Sequence, residues 1–158
     1  MNESIKKVVK FGGSSLASAE QFRKSAAIVL AEESRRFVVP SAPGKRFPED
    51  EKVTDMLLDC HRLASEGRDF SARLAAGRER YELIRTGLGL AVSLDEAFAV
   101  IEENLHKVCS RDYAASRGEY LNGILLAFYL GYAFVDAAEV VFFDEDGIFD
   151  GEKTNRIM

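Results

Sequence analysis

Residues 5–11 (IKKVVKF) form a β-branched, apolar run that ends abruptly at Gly12-Gly13. A run of that length bounded by glycines reads as a buried strand stopped by a tight turn. Ser18 and Gln21 then make a capping box, and Phe22, Ala26, Val29 and Leu30 recur at helical spacing, which predicts a helix over residues 19–33. Residues 36–41 (RFVVPS) read as a second strand, stopped by Pro43-Gly44 and a polar loop that lasts to Lys52. Strand, glycine turn, helix and strand in this order predict a right-handed parallel crossover and confine the chain to the α/β class. Pro40 removes a ladder donor, so the second strand is expected to end early or to be locally irregular.

The rest of the chain reads mainly as helix. Helical patterns cover residues 53–66, 70–86 and 94–110, the last with its own capping box in Ser93 and Glu96. A polar stretch, SRDYAASRGEY (110–120), leads into a strongly apolar helix over residues 119–130, which Gly131 closes as a C-cap. Two short strands are expected at 133–135 and 139–143, with Asp136 between them as a cap. The tail DEDGIFDGEKTNRIM reads as a hairpin or solvated loop. Its carboxylates Asp144, Asp146, Asp150 and Glu152 fail the spacing of a calcium-binding EF-hand.

Composition narrows the function. At 158 residues, 47% of them hydrophobic, the chain fills one domain and little more. Lys and Arg total 21 against 26 Asp and Glu, giving a net charge of -5 without a basic tract, which argues against nucleic acid as a partner. The N-terminal residues lack the pattern of a signal peptide, which predicts a cytoplasmic protein. The longest apolar run, residues 124–135, is interrupted by Gly131 and falls short of the roughly 20 residues that span a bilayer, so no membrane role is expected. Cys60 and Cys109 read as buried free thiols. With His61 and His106 they form no metal knuckle, and no metal ligands are assigned.

The chemistry concentrates at the first turn. Lys10, Gly12, Gly13, Ser14 and Ser15 bring a cation, bare backbone amides and hydroxyls to one point, which is what a phosphate requires. Taken alone, Lys-x-Gly-Gly is equally compatible with a plain turn. No Gly-Lys-Ser/Thr closes it as a Walker A loop, and it is not the Gly-x-Gly-x-x-Gly of a dinucleotide fold.

Four segments together, VKFGGSSL (9–16), VVPSAPGK (38–45), KVTDML (52–57) and SRGEYLNG (116–123), resemble in order and spacing the N-terminal half of the aspartate kinases, members of the amino-acid kinase superfamily. The resemblance covers essentially the whole chain. It implies an αβα sandwich of the amino-acid kinase type, with a mainly parallel sheet that is incomplete here, plus a helical block. Residues 1–158 would be the N-terminal portion of the kinase domain, without the nucleotide lobe and the C-terminal regulatory ACT domains.

The implied reaction moves the γ-phosphoryl group of ATP, carried as its Mg2+ complex, to the side-chain carboxylate of L-aspartate, at the start of lysine, threonine and methionine biosynthesis. By resemblance, Lys10 is the catalytic cation, and Lys10, Gly12, Gly13 and Ser14 hold phosphate. Ser41 and Thr54 line the aspartate pocket, and Glu119 meets the substrate ammonium. Each of these three also has an ordinary reading: Ser41 as a strand end, Thr54 as a helix cap, Glu119 as a complement to a helix dipole. Gly118 would let a turn approach the ligand. The 158 residues alone are expected to lack kinase activity. The competing expectation is a non-catalytic phosphate- or partner-binding module, and an exposed sheet edge suggests a homo-oligomer.

Overall fold

The computed structural model describes residues 5–157. Strand β1 (Lys7–Phe11) and strand β2 (Arg35–Pro40) pair in parallel, joined by a 3-10 turn (Gly13–Leu16) and helix α1 (Ala19–Leu30). Ser18 caps α1 as its sequence predicts, its hydroxyl accepting the Gln21 N–H at 3.4 Å. The helix stops before residue 33, and the chain turns into β2.

The register sets Val8 beside Phe37, Val9 beside Val38, Lys10 beside Val39 and Phe11 beside Pro40, with an irregularity between Lys7 and Val8. Because side chains alternate, one sheet face carries Val9, Phe11 and Val38 into the core, while the other leaves Val8, Phe37 and Val39 exposed. Pro40 does not shorten β2. The Ser41 N–H donates to the Phe11 carbonyl at 2.9 Å, so Ser41 takes the ladder position on β1 and the nitrogen of Pro40 faces the other way.

Four longer helices build the block: α2 (Val53–Ser65), α3 (Ser71–Gly87), α4 (Asp95–His106) and α5 (Arg111–Leu130). Helix α5 runs through the centre and buries Leu121, Leu125 and Leu126 against a core that includes Phe22, Leu57, Tyr81, Phe98 and Ile101. Helix α5 starts at Arg111, not near 119. Ser110 caps it by accepting the Tyr113 N–H at 3.1 Å, and the Arg117 guanidinium stacks 4.6 Å from the Tyr113 ring centre and 4.7 Å from that of Tyr120. Tyr113, Arg117 and Tyr120 lie on one helical stripe, so a polar-looking stretch packs through amphipathic side chains that a hydrophobicity count overlooks.

Other departures have local causes. Helix α4 ends at His106 because Val108 takes a left-handed conformation (φ 53°). At its start the Ser93 hydroxyl accepts the Asp95 N–H at 3.0 Å, a turn contact in place of the expected capping box. Residues 133–135 form no strand. The Asp136 carboxylate accepts the Ala138 N–H at 3.0 Å and starts the short helix α6 (Ala137–Val140) where strand 139–143 was expected. Phe143 and Phe149 do pair across an antiparallel bridge, a tight hairpin around Gly147 (φ 77°). The Asp150 carboxylate then accepts the Lys153 N–H at 2.9 Å at the start of helix α7 (Gly151–Ile157), where a loop was expected. Gly131 closes α5 in the left-handed conformation (φ 69°), as its position predicts.

Cys60 is a buried free thiol, pushed by burial up to about 11, and Cys109 is half-buried and also raised by burial. His61 Nε2 lies 2.8 Å from the Cys109 carbonyl oxygen. No helix among the described residues is long and apolar enough to cross a membrane.

Candidate functional site

Three segments meet beyond the C-terminal ends of the two strands: the glycine turn after β1, the loop after β2, and the middle of α5. The loop and the turn touch backbone to backbone. Gly44 N–H donates to the Gly13 carbonyl at 2.9 Å, and a Cβ added at Gly13 would stand 2.8 Å from the Ala42 carbonyl oxygen. One added at Gly44 would stand 2.7 Å from the Gly13 carbonyl carbon. Both glycines are required by this approach, since real side chains do not come so near a neighbouring main chain.

Helix α5 fastens the same loop from the other side. The Asn122 side chain donates to the Ser41 carbonyl at 2.6 Å, and the Glu119 carboxylate accepts the Ala42 N–H at 3.3 Å. These are the two polar groups of one peptide unit, so residues one helical turn apart on α5 grip it from both ends. Gly118 lies inside α5 rather than in a turn. Its missing side chain admits Ala42, whose Cβ would be 2.6 Å from a Cβ at 118, and its carbonyl accepts the Tyr81 hydroxyl at 2.7 Å. Burial, with the Glu119 charge nearby, pushes the Tyr81 phenol well above its ordinary range.

Between these segments lies a cleft of about 400 Å³ lined by Gly13, Ser14, Ser41, Ala42, Pro43, Gly44, Lys45, Lys52, Thr54 and Glu119. Of the seven residues nominated from sequence, Gly13, Ser14, Ser41, Thr54 and Glu119 share this wall. Gly12 adjoins it without lining it. Lys10 is exposed on the open sheet face, paired in register with Val39, and is not among the lining residues. Thr54 sits in the first turn of α2 but does not cap it, because the N-cap position is Lys52. Glu119 is mid-helix, which removes the reading of a carboxylate complementing a helix dipole.

Sequence reasoning assigned no role to Lys45, Lys52 or Asn122, although all three fall inside the four segments quoted above. The Lys45 ammonium donates to the Pro48 carbonyl at 3.2 Å, whereas Lys52 has no carboxylate partner among the described residues. The cleft wall therefore presents two ammonium groups and one carboxylate, a complement suited to a small zwitterion bearing extra negative charge. Among the described residues no three His, Cys, Asp or Glu side chains converge to hold a metal ion, and Glu119 is the single carboxylate of the cleft.

A second hollow of about 410 Å³ lies by α3 and α4, lined by Arg78, Glu82, Arg85, Ala91, Ser93 and Asp95. Its charges are already matched, Arg78 with Asp95 and Arg85 with Glu82 at 2.7 Å, which leaves little for a ligand to satisfy.

The sequence model of the amino acid kinase family matches residues 6–157. The chain belongs to the amino acid kinase family. Among its relatives in that family, aspartokinase 3 of Bacillus subtilis is 39% identical over 140 residues, covering 85% of this chain and 31% of the relative. The aspartokinase of Chlamydia trachomatis is 34% identical over 131 residues, covering 80% and 28%. The crystal structure of Clostridium acetobutylicum aspartate kinase superimposes with a TM-score of 0.91 at 43% identity, over 94% of this chain and 34% of that one. Aspartokinase III of Escherichia coli, solved with aspartate and ADP, aligns with a TM-score of 0.75 at 24% identity, over 95% and 36%, a likeness of fold. The fold is thus that of the N-terminal part of an aspartate kinase, and the chain spans about a third of the length of the relatives it matches.

Proposed function

We propose that this chain forms the substrate side of an aspartate kinase, binding L-aspartate in the cleft and the transferring phosphoryl group at the glycine turn. The observation that carries this reading is the convergence of Gly13, Ser14, Ser41, Thr54 and Glu119, drawn from all four motifs, on one cleft wall. The likeness to aspartokinases supports the same substrate. ATP, as its Mg2+ complex, is the donor in this reading, and the location is cytoplasmic. The cleft supplies too few carboxylates to hold Mg2+ by itself, so no step below depends on the ion.

The physical problem is to bring an anionic phosphoryl donor against a carboxylate. A side-chain carboxylate oxygen of aspartate forms the new bond to the γ-phosphorus as the bond to the bridging oxygen breaks, and ADP leaves with that electron pair. Such transfers need positioning and charge stabilisation more than covalent help. Backbone amides at Gly12 and Gly13 and the Ser14 hydroxyl hold phosphoryl oxygens. Lys10 neutralises charge once its flexible stem brings the ammonium to the turn, and Lys45 and Lys52 add positive charge at the wall. Ser41 and Thr54 hydrogen-bond aspartate, and Glu119 selects its ammonium.

Glu119→Gln separates this role from the structural one, because glutamine keeps an acceptor for the Ala42 N–H and loses the charge. Calorimetric titration should show aspartate affinity reduced by about tenfold or more, the loss of a charge-assisted contact, with succinate affinity unchanged. Equal aspartate binding by both proteins would remove the assignment. The 158 residues by themselves should produce no measurable aspartyl hydroxamate from ATP, aspartate and hydroxylamine. Turnover comparable with a longer aspartokinase would overturn that expectation and the division of labour behind it.

A further inference from the structure

Arg80 stands on α3, outside the cleft wall, yet it is 4% exposed and its guanidinium is spent on the loop that makes the cleft. Its Nη2 donates to the Gly44 carbonyl at 2.8 Å and its Nη1 to the Glu51 carbonyl at 2.8 Å. Nη1 also lies 3.1 Å from Asp50 Oδ2. Gly44 and Glu51 are the two ends of an eight-residue excursion, 44–51, whose flanks are joined directly by a Val53 N–H to Pro43 carbonyl hydrogen bond at 3.2 Å. Asp50 in turn accepts from Arg46 through Nε at 2.7 Å, Nη2 at 2.9 Å and the backbone N–H at 2.9 Å, so the excursion is folded onto its own base.

We propose that Arg80 is a positioning residue for the cleft: its forked guanidinium closes the base of the 44–51 loop and so sets where Ser41, Thr54 and Lys52 stand relative to the glycine turn. Two carbonyls in different directions need a planar fork with fixed donors, which arginine has and lysine lacks. The path to the turn is short. Arg80 holds Gly44, and Gly44 donates to Gly13 at 2.9 Å, so the helical block reaches the phosphate-binding backbone through one residue. A loop left open at its base regains the freedom that closure removes, and both flanks of the cleft move with it.

The consequence for a ligand rests on the proposed function; the consequence for the loop does not. Wild type, Arg80→Lys and Arg80→Met of this chain are therefore compared by amide hydrogen exchange and by titration with L-aspartate. In Arg80→Lys, the hydrogen-bonded amides of Ala42, Gly44, Arg46 and Val53 and, at the turn, Ser15 should exchange about tenfold faster, while those of 121–126 at the centre of α5 keep the wild-type rate. Arg80→Met should exceed it in the same segments; should it fail to fold, Arg80→Lys decides alone. Aspartate affinity should fall about tenfold in Arg80→Lys. Exchange raised uniformly through the core would reduce Arg80 to a general stabiliser and overturn the proposal, as would wild-type exchange in the loop or unchanged affinity beside a loosened loop. If wild type binds no aspartate, the functional reading fails, and selective exchange at Gly44 and Ser15 still decides the role of Arg80.

Discussion

Replacing Gly44 with alanine is expected to destabilise the chain by about 2–3 kcal/mol and to push the glycine turn and the loop after β2 apart. The new methyl carbon would stand 2.7 Å from the carbonyl carbon of Gly13 and 2.8 Å from the amide nitrogen of Ser14. Both neighbours are main chain, so no rotamer change relieves the overlap and the two segments must separate. Separation breaks the Gly44 N–H to Gly13 carbonyl hydrogen bond and widens the cleft. Gly13→Ala should behave alike, because its methyl would meet the Ala42 carbonyl oxygen at 2.8 Å. Gly77 on α3 is the control: a Cβ there meets nothing within 4 Å, and alanine should be neutral or gain about 0.5–1 kcal/mol. Urea unfolding of the three variants measures the contrast. A wild-type midpoint for Gly44→Ala would mean that the two loops do not approach as described.

Asp50→Ala should cost about 3 kcal/mol or more, among the largest effects of any substitution away from the apolar core. The Asp50 side chain is 7% exposed and the Arg80 side chain 4%. Removing the carboxylate leaves the Arg80 cation buried with two carbonyls and no counter-charge, and it frees Arg46 as well. Burial already draws the Arg80 guanidinium below its ordinary value against the pull of Asp50. The pH dependence follows from the other partner. Hydrogen bonding from Arg46 outweighs burial and holds the Asp50 carboxyl well below the usual carboxylate range. A group depressed on folding contributes its full stabilisation above its unfolded value, about 3.9, and loses it as pH falls through the folded value. The stability gap between wild type and Asp50→Asn, followed by urea unfolding, should therefore stay flat from neutrality to about pH 5 and shrink below about pH 4. A gap that narrowed already between pH 7 and 5 would assign the stabilisation to another group.

How much of this was legible in advance depends on the range of the interaction. The strand, glycine turn, helix and strand at the start follow from neighbours in sequence: a β-branched run, paired glycines, a serine cap. Those elements formed where expected, within three residues. Helix α5 was half recognised, because its first turns pack through Arg117 between two tyrosines, and a guanidinium counted as polar conceals the buried stripe. The strands expected at 133–135 and 139–143 failed for a different reason. A strand needs a neighbour to pair with, and residues 133–142 lie in no ladder among those described, Phe143 making only an isolated bridge to Phe149, so the Asp136 cap turned the chain into helix.

The same division runs through the site. The amino-acid sequence determined which residue types were at hand: glycines that free a backbone, hydroxyls, lysines, and a carboxylate in a motif resembling the aspartate kinases. Tertiary structure decided which of them share a wall. It placed Glu119 against the Ala42 amide, drew Asn122 onto the Ser41 carbonyl, left Lys10 on the open face of the sheet, and recruited Arg80 from a helix with no motif of its own. Contacts made across 36 to 81 positions of chain are set by how helices pack on a loop, and that packing is a property of the whole core.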